Sequence, residues 1–285
     1  KECDWSSDVC SSDLSGVRRI ACVGDSIAFG MGTPQEPFNR QLERVLGDGT
    51  EVLNFGVPGY HVGQAAATLA GPAAAFAPDL ALYLYCLNDP QETSRELEGI
   101  LRWRELPPGR AAALRRIWSP SRSALERSRL WQLLRWRLAR RSTAPALAPE
   151  RFRDDLEIIL EGNGEAHYRA LYADPAARAR LAAGFDQMAR WSAETGVPVW
   201  VVVFPVFVEL DRYRLEDLHR IVAAEAATRN LRTLDLLPIY RDALRNGGAT
   251  FNADPLHPNR MGYGIAAAAV AEALRAADGA APPKR

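Results

Sequence analysis

Three residue types that together perform acyl transfer stand at opposite ends of this chain. Gly24-Asp25-Ser26 closes a short apolar run, and Asp254-Pro255-Leu256-His257-Pro258-Asn259-Arg260 lies near the other end. A serine hydroxyl attacks poorly until an imidazole takes its proton, and the imidazole works best when a carboxylate fixes its tautomer. Ser26, His257 and Asp254 supply one candidate for each role.

Each piece has a plainer reading beside the chemical one. Gly-Asp-Ser alone is a turn tripeptide, although a strand before Ser26 and Ile27-Ala28-Phe29 after it place the serine at a helix N-terminus. Asp254 can meet His257 across one helical turn or a tight loop. Equally, Asp254 or Asn259 can cap the last helix by taking up its free N–H groups. His61, His167 and His219 read as surface or loop residues, with His61 close enough to Gly59 to line a cleft.

The elements that must position these groups follow from apolar periodicity. Strands are expected at 18–23, 51–55, 79–87, within 197–208 (as 197–204) and at 231–234. Helices are expected at 38–46, 63–76, 176–195, 214–229 and 261–276, with Pro258 near the start of the last, where proline is tolerated. Strands alternating with helices predict a parallel sheet with right-handed crossovers. Ser26, Gly59 and Asn88 each follow the carboxyl end of a separate strand, which is where doubly wound sheets bind ligands.

The 285 residues, 47% hydrophobic, suffice for one large α/β domain with a proper core. The net charge is zero, so no overall field favours nucleic acid, and no apolar run approaches the roughly 20 residues a membrane span needs. Richness in Ala and Arg suggests a GC-rich bacterial genome. Cys22 and Cys86 fall in strands expected to be buried, where a thiol acts as a small apolar group. Neither a disulfide framework nor metal-ligand spacing appears, so no metal or cofactor is expected.

Residues 1–14, with the near-repeat Trp5-Ser6-Ser7-Asp8-Val9 and Cys10-Ser11-Ser12-Asp13-Leu14, read as a non-native tail resembling a translated sequencing adapter. The native N-terminus, and with it the localisation, is therefore not legible. The domain is expected over 15–276, with a helical insertion at about 90–175 and a frayed tail at 277–285. Within 95–141 stand thirteen arginines against four glutamates and no aspartate, with four of the chain's seven tryptophans. Leu130, Leu134 and Leu138 share one helical stripe there. That segment reads as a solvated helical face on the sheet edge, a lid, or an interfacial surface that meets anionic lipid. Nucleic acid is not an expected partner.

Four blocks, in order, resemble the SGNH hydrolases, also called the GDSL esterase/lipase family: Gly24-Asp25-Ser26, Asn54-x-Gly56-x-x-Gly59, Asn88-Asp89 and Asp254-x-x-His257. The resemblance implies a flavodoxin-like, three-layer α/β/α sandwich on a five-stranded parallel sheet, and a serine esterase or acyl hydrolase. It makes Ser26 the nucleophile, His257 the base and Asp254 its orienter. The implied oxyanion hole is the Ser26 N–H, the Gly59 N–H and the Asn88 side-chain amide. Asn54 and Gly56 would shape a turn, and Asp25 and Asp89 would hold loops. Cys86 departs from the pattern by standing where the third block usually has glycine, which predicts a narrowed cleft. The expected partner is a small-molecule, glycan or lipid ester. The rival readings are a carbohydrate O-acyltransferase using the same residues, and a non-enzymatic envelope or assembly protein that keeps the fold.

Overall fold

Five short apolar runs pair into one parallel sheet in the computed structural model, which describes residues 16–91, 164–247 and 251–280. The strands are β1 (Arg18–Gly24), β2 (Thr50–Gly56), β3 (Leu80–Tyr85), β4 (Val199–Val203) and β5 (Arg232–Asp235). Their order is β2-β1-β3-β4-β5 and every pairing is parallel. The inner strands are apolar on both faces: Ile20 to Val23, Leu80 to Tyr85 and Val199 to Val203 are all buried. Continuous apolar runs of that kind belong to parallel sheets covered on both sides.

The covering helices are α1 (Ser26–Phe29), α2 (Phe38–Leu46), α3 (Val62–Thr68), α4 (Gly164–Ala173), α5 (Pro175–Thr195), α6 (Glu216–Ala227), α7 (Leu237–Gly247) and α8 (Arg260–Ala280). In one layer α2 packs against α8, which also meets α7; in the other α3 packs against α5, which also meets α6. The strand order is the flavodoxin type, and it reverses direction between β1 and β3. Ser26 follows the first of those strands and Asn88 the second, so the fold delivers both to its switch point.

Three local features differ from the expectation. The helix expected over 63–76 is α-helical only to Thr68, then widens to a π turn at Leu69–Ala73 and tightens to a 3-10 turn at Ala74–Phe76. Pro72 lies within the π turn; it lacks an N–H and cannot continue the regular ladder. The helix α7 was not among those expected; its Pro238 stands in the first turn, where the missing N–H is tolerated. The helix α4 falls inside the stretch assigned to the insertion, yet Tyr168 and Tyr172 on it are buried, and the Tyr172 hydroxyl bonds that of Tyr85 on β3. The tail at 1–14, the basic 95–141 segment and residues 281–285 lie outside the described residues.

Candidate active site

Ser26 opens α1, the single turn that follows β1. Asp25 caps it: one carboxylate oxygen accepts the Ile27 N–H at 2.8 Å, in a side chain only 2% exposed. The far end of the turn is tied to α8, since the buried Tyr263 hydroxyl lies 3.0 Å from Ile27 O and 3.1 Å from Met31 O. The serine therefore sits on a short element clamped from both sides.

His257 lies in the loop between α7 and α8. That loop closes on itself: Asn252 and Pro258 form an antiparallel bridge, Ala253 N–H donates to His257 O at 2.8 Å, and Asn259 N–H donates to Phe251 O at 2.9 Å. Within it, Asp254 Oδ1 accepts the Leu256 N–H at 2.8 Å and the His257 N–H at 2.9 Å, while Oδ2 stands 2.7 Å from His257 Nδ1. The cap of α8 is Asn259, whose Oδ1 accepts the Gly262 N–H at 3.0 Å. Of the two residues that could have served as that cap, Asn259 takes the role and Asp254 turns to the histidine.

The two ends of the chain meet at this point. His257 Nε2 is 2.9 Å from Ser26 Oγ, across 231 positions of sequence. Ser26 is 9% exposed and His257 8%. With the Nδ1 proton given to Asp254, Nε2 is the lone pair that faces the Ser26 O–H. Burial pushes the half-exposed Asp254 carboxyl upward, but the hydrogen bond and attraction from His257, with the two main-chain N–H bonds, outweigh it. The net effect holds Asp254 below the ordinary carboxylate range.

Gly32 brings the first loop against the last. Its φ is +94°, and a Cβ built there would lie 2.6 Å from Pro258 O, 3.1 Å from Ala253 Cβ and 3.5 Å from His257 Cβ. Only a residue without a side chain lets the chain pass so close behind His257 in that conformation. No motif marked this glycine in advance.

The remaining site candidates lie beyond the ends of β2 and β3. Asn88 follows β3, and its Nδ2 points to Asp25 Oδ2 at 3.4 Å, a long bond that holds the amide weakly beside the serine. Gly59 lies in the turn after β2 with φ +83°. That turn is shaped by Asn54, whose Oδ1 accepts the Gly56 N–H at 2.8 Å and whose Nδ2 donates to Asn39 Oδ1 at 3.3 Å. Asp89 is buried; its Oδ2 accepts from the Tyr83 hydroxyl and from the Cys86 N–H at 3.3 Å. Burial, then repulsion from Asp25, raises the Asp89 carboxyl well above its usual value despite those two bonds. Cys86 joins the core at 1% exposed, and burial raises its thiol far from the reactive range.

The other histidines take three different places. His61 caps α3, its Nδ1 accepting the Gly63 N–H at 3.1 Å. His167 on α4 meets Gln91 at 2.8 Å. His219, expected at the surface, is instead 2% exposed. Asp235 and Tyr213 satisfy its two ring nitrogens, which removes the usual cost of burying an imidazole.

A flavodoxin-like sheet carries a serine, an imidazole and a carboxylate in hydrogen-bonded sequence at its switch point, the arrangement of a three-layer α/β protein with a candidate hydrolytic site. The chain belongs to the GDSL-like Lipase/Acylhydrolase family, whose model matches residues 22–265. It is accordingly a carboxylic ester hydrolase. Among solved structures it is similar to a two-domain esterase active on acetylated mannans, at 12% identity and TM-score 0.51, over 94% of this chain and 51% of that one. It is similar to an acetyl xylan esterase at 11% identity and TM-score 0.50, over 90% and 99%. A lipase/acylhydrolase from Enterococcus faecalis aligns at 15% identity and TM-score 0.49, over 94% and 100%. At these identities the likeness is one of fold. No curated protein sequence matches the chain.

Proposed function

We propose that the chain hydrolyses its ester through an acyl-enzyme on Ser26, with His257 as general base and acid and Asp254 as its orienter. The observation that carries this reading is the unbroken line from Asp254 Oδ2 through the His257 ring to Ser26 Oγ, at 2.7 and 2.9 Å.

In the first half-reaction Ser26 Oγ forms a bond to the ester carbonyl carbon while its proton passes to His257 Nε2. The carbonyl oxygen becomes an oxyanion, received by the Ser26 and Gly59 N–H groups and the Asn88 Nδ2 donor. Preorganised donors of this kind are worth roughly 3–4 kcal/mol each when removed singly. The imidazolium is stabilised by the ionised Asp254. Collapse breaks the bond to the alcohol oxygen, which leaves with the proton from Nε2. In the second half, His257 takes a proton from water, the hydroxide oxygen bonds the acyl carbon, and collapse releases the acid and returns the proton to Ser26 Oγ.

The substrate we infer is an ester of a small molecule or a glycan. The test is a panel of p-nitrophenyl esters of rising chain length and acetylated sugars, run on the wild type and on Ser26→Ala, with a fluorophosphonate probe as a label for Ser26. Turnover and labelling that both vanish in Ser26→Ala are the expected result. Undiminished turnover in that variant would remove Ser26 from the chemistry.

A further inference from the structure

The segment that leaves β4 reaches the loop of Asp254. Phe207 N–H donates to Pro255 O at 2.7 Å, the carbonyl next to the residue that holds His257. Phe207 is itself wedged edge-on against Tyr240 of α7, at 4.9 Å between ring centroids. One residue earlier, Val206 N–H donates to the Tyr213 hydroxyl at 3.1 Å. The Tyr213 oxygen lies 3.0 Å from His219 Nε2, and His219 Nδ1 lies 2.9 Å from Asp235 Oδ1 at the end of β5.

A His219 protonated at Nδ1 alone satisfies every member of this chain. The Tyr213 oxygen accepts from Val206 and its own proton goes to the His219 Nε2 lone pair. The other ring nitrogen then carries the proton and donates it to Asp235. That carboxylate oxygen also accepts the Leu237 N–H at 2.9 Å, at the start of α7. Tyr213 and His219 are 7% and 2% exposed. Burial raises the Tyr213 phenol far above its ordinary value, so it remains a donor. The buried line runs from β5 through α6 to the β4 exit and ends one hydrogen bond from the Asp254 loop. Nothing in the mechanism above uses it.

We infer that Tyr213 and His219 are positioning residues: their hydrogen-bonded line sets where the Val206-Phe207 segment stands, and through Phe207 and Pro255 it sets the distance between Asp254 and His257. The inference rests on the proposed role of Asp254. A base misplaced by a fraction of an ångström loses rate without losing substrate, so the effect falls on kcat and not on KM.

The experiment measures p-nitrophenyl acetate hydrolysis per active site, with sites counted by fluorophosphonate labelling so that unfolded protein drops out. Tyr213→Phe removes the hydroxyl and keeps the ring. It should lower kcat per labelled site by about ten- to hundredfold with KM within about twofold. His219→Leu should match it. His219→Gln should recover most of the loss, because a glutamine oxygen can accept the Tyr213 proton. A wild-type kcat per labelled site in Tyr213→Phe, whatever its melting temperature, overturns the inference. If that variant does not fold, equal kcat values in His219→Leu and His219→Gln overturn it. Ser26→Ala, which takes no label and is compared per folded protein, and Asp254→Asn separate the proposed mechanism from the positioning role. Full activity in those two sinks the proposed mechanism itself. Loss in both, with Tyr213→Phe unaffected, sinks only the positioning role.

Discussion

Asp254 holds His257 twice, by the ring through Nδ1 at 2.7 Å and by the main chain through an N–H at 2.9 Å. One oxygen of the carboxylate thus builds the loop and the other orients the imidazole. The division of labour makes Asp254→Asn informative. An asparagine Oδ1 can keep the bonds from Leu256 and His257, so the loop should hold and the melting temperature should change little. The amide nitrogen would face Nδ1 as a donor and favour the wrong tautomer, lowering kcat by about 10⁴-fold. A stopped-flow or steady-state comparison with the wild type at neutral pH measures it.

The depressed carboxyl of Asp254 also shapes the pH profile. A group whose folded value lies below its unfolded one contributes its interaction above the unfolded value and loses it as the pH falls through the folded one. Asp254 therefore remains ionised below the ordinary carboxylate range. The acid limb of kcat/KM should fall with the slope of a single protonation, that of His257. A limb steepening to two protons above the ordinary carboxylate range would contradict this.

Asn88 tests the oxyanion site. Its amide is held to Asp25 only by the 3.4 Å contact, which leaves it available to a developing negative charge beside Ser26. Replacement by Ala should reduce kcat by about 10²–10³-fold with a modest change in KM. Asn88→Asp should lose at least as much, because a carboxylate there repels the oxyanion.

Gly32 should be intolerant of any side chain. An added methyl meets Pro258 O at 2.6 Å in a backbone conformation that L residues rarely adopt. Gly32→Ala should cost about 1–3 kcal/mol of stability, read from denaturant unfolding. It should also lower kcat, because the group displaced is the loop of His257.

Asp89 gives a stability prediction of opposite sign to Asp254. Burial first, then repulsion from Asp25, raises its folded value, so its contribution is full below the unfolded value and is lost as the pH rises through the folded one. The wild type should lose stability on going from acid toward alkaline pH at this site. In Asp89→Asn the oxygen can still accept from Tyr83 and Cys86, and no charge forms. Its melting temperature should therefore gain on the wild type as the pH rises. A gap between the two that shrinks with rising pH would refute the assignment.

Much of the architecture was legible along the chain. The runs at Ile20–Val23, Leu80–Tyr85 and Val199–Val203 are apolar without alternation, which belongs to strands buried on both faces, and helical spacing marked α2 with the bounds found. The candidate residues Ser26, Gly59, Asn88, Asp254 and His257 were all visible as types in ordered short blocks. The helix α7 went unmarked, and His219, read as a surface or loop residue, is buried on a helix.

What the chain alone cannot express is distance. Whether Asp254 caps α8 or turns to His257 depends on Asn259 taking the cap, and both outcomes have the same local sequence. Ser26 and His257 lie 231 positions apart, and only the packing of α8 against the first strand's exit, with Tyr263 on the turn of Ser26, brings their side chains to 2.9 Å. Gly32 and the line from Asp235 through His219 and Tyr213 to Val206 carry no motif, because their partners come from separate elements. Periodicity and short blocks record what each segment prefers by itself. Close approach and shared protons belong to pairs of segments, and the tertiary structure decides them.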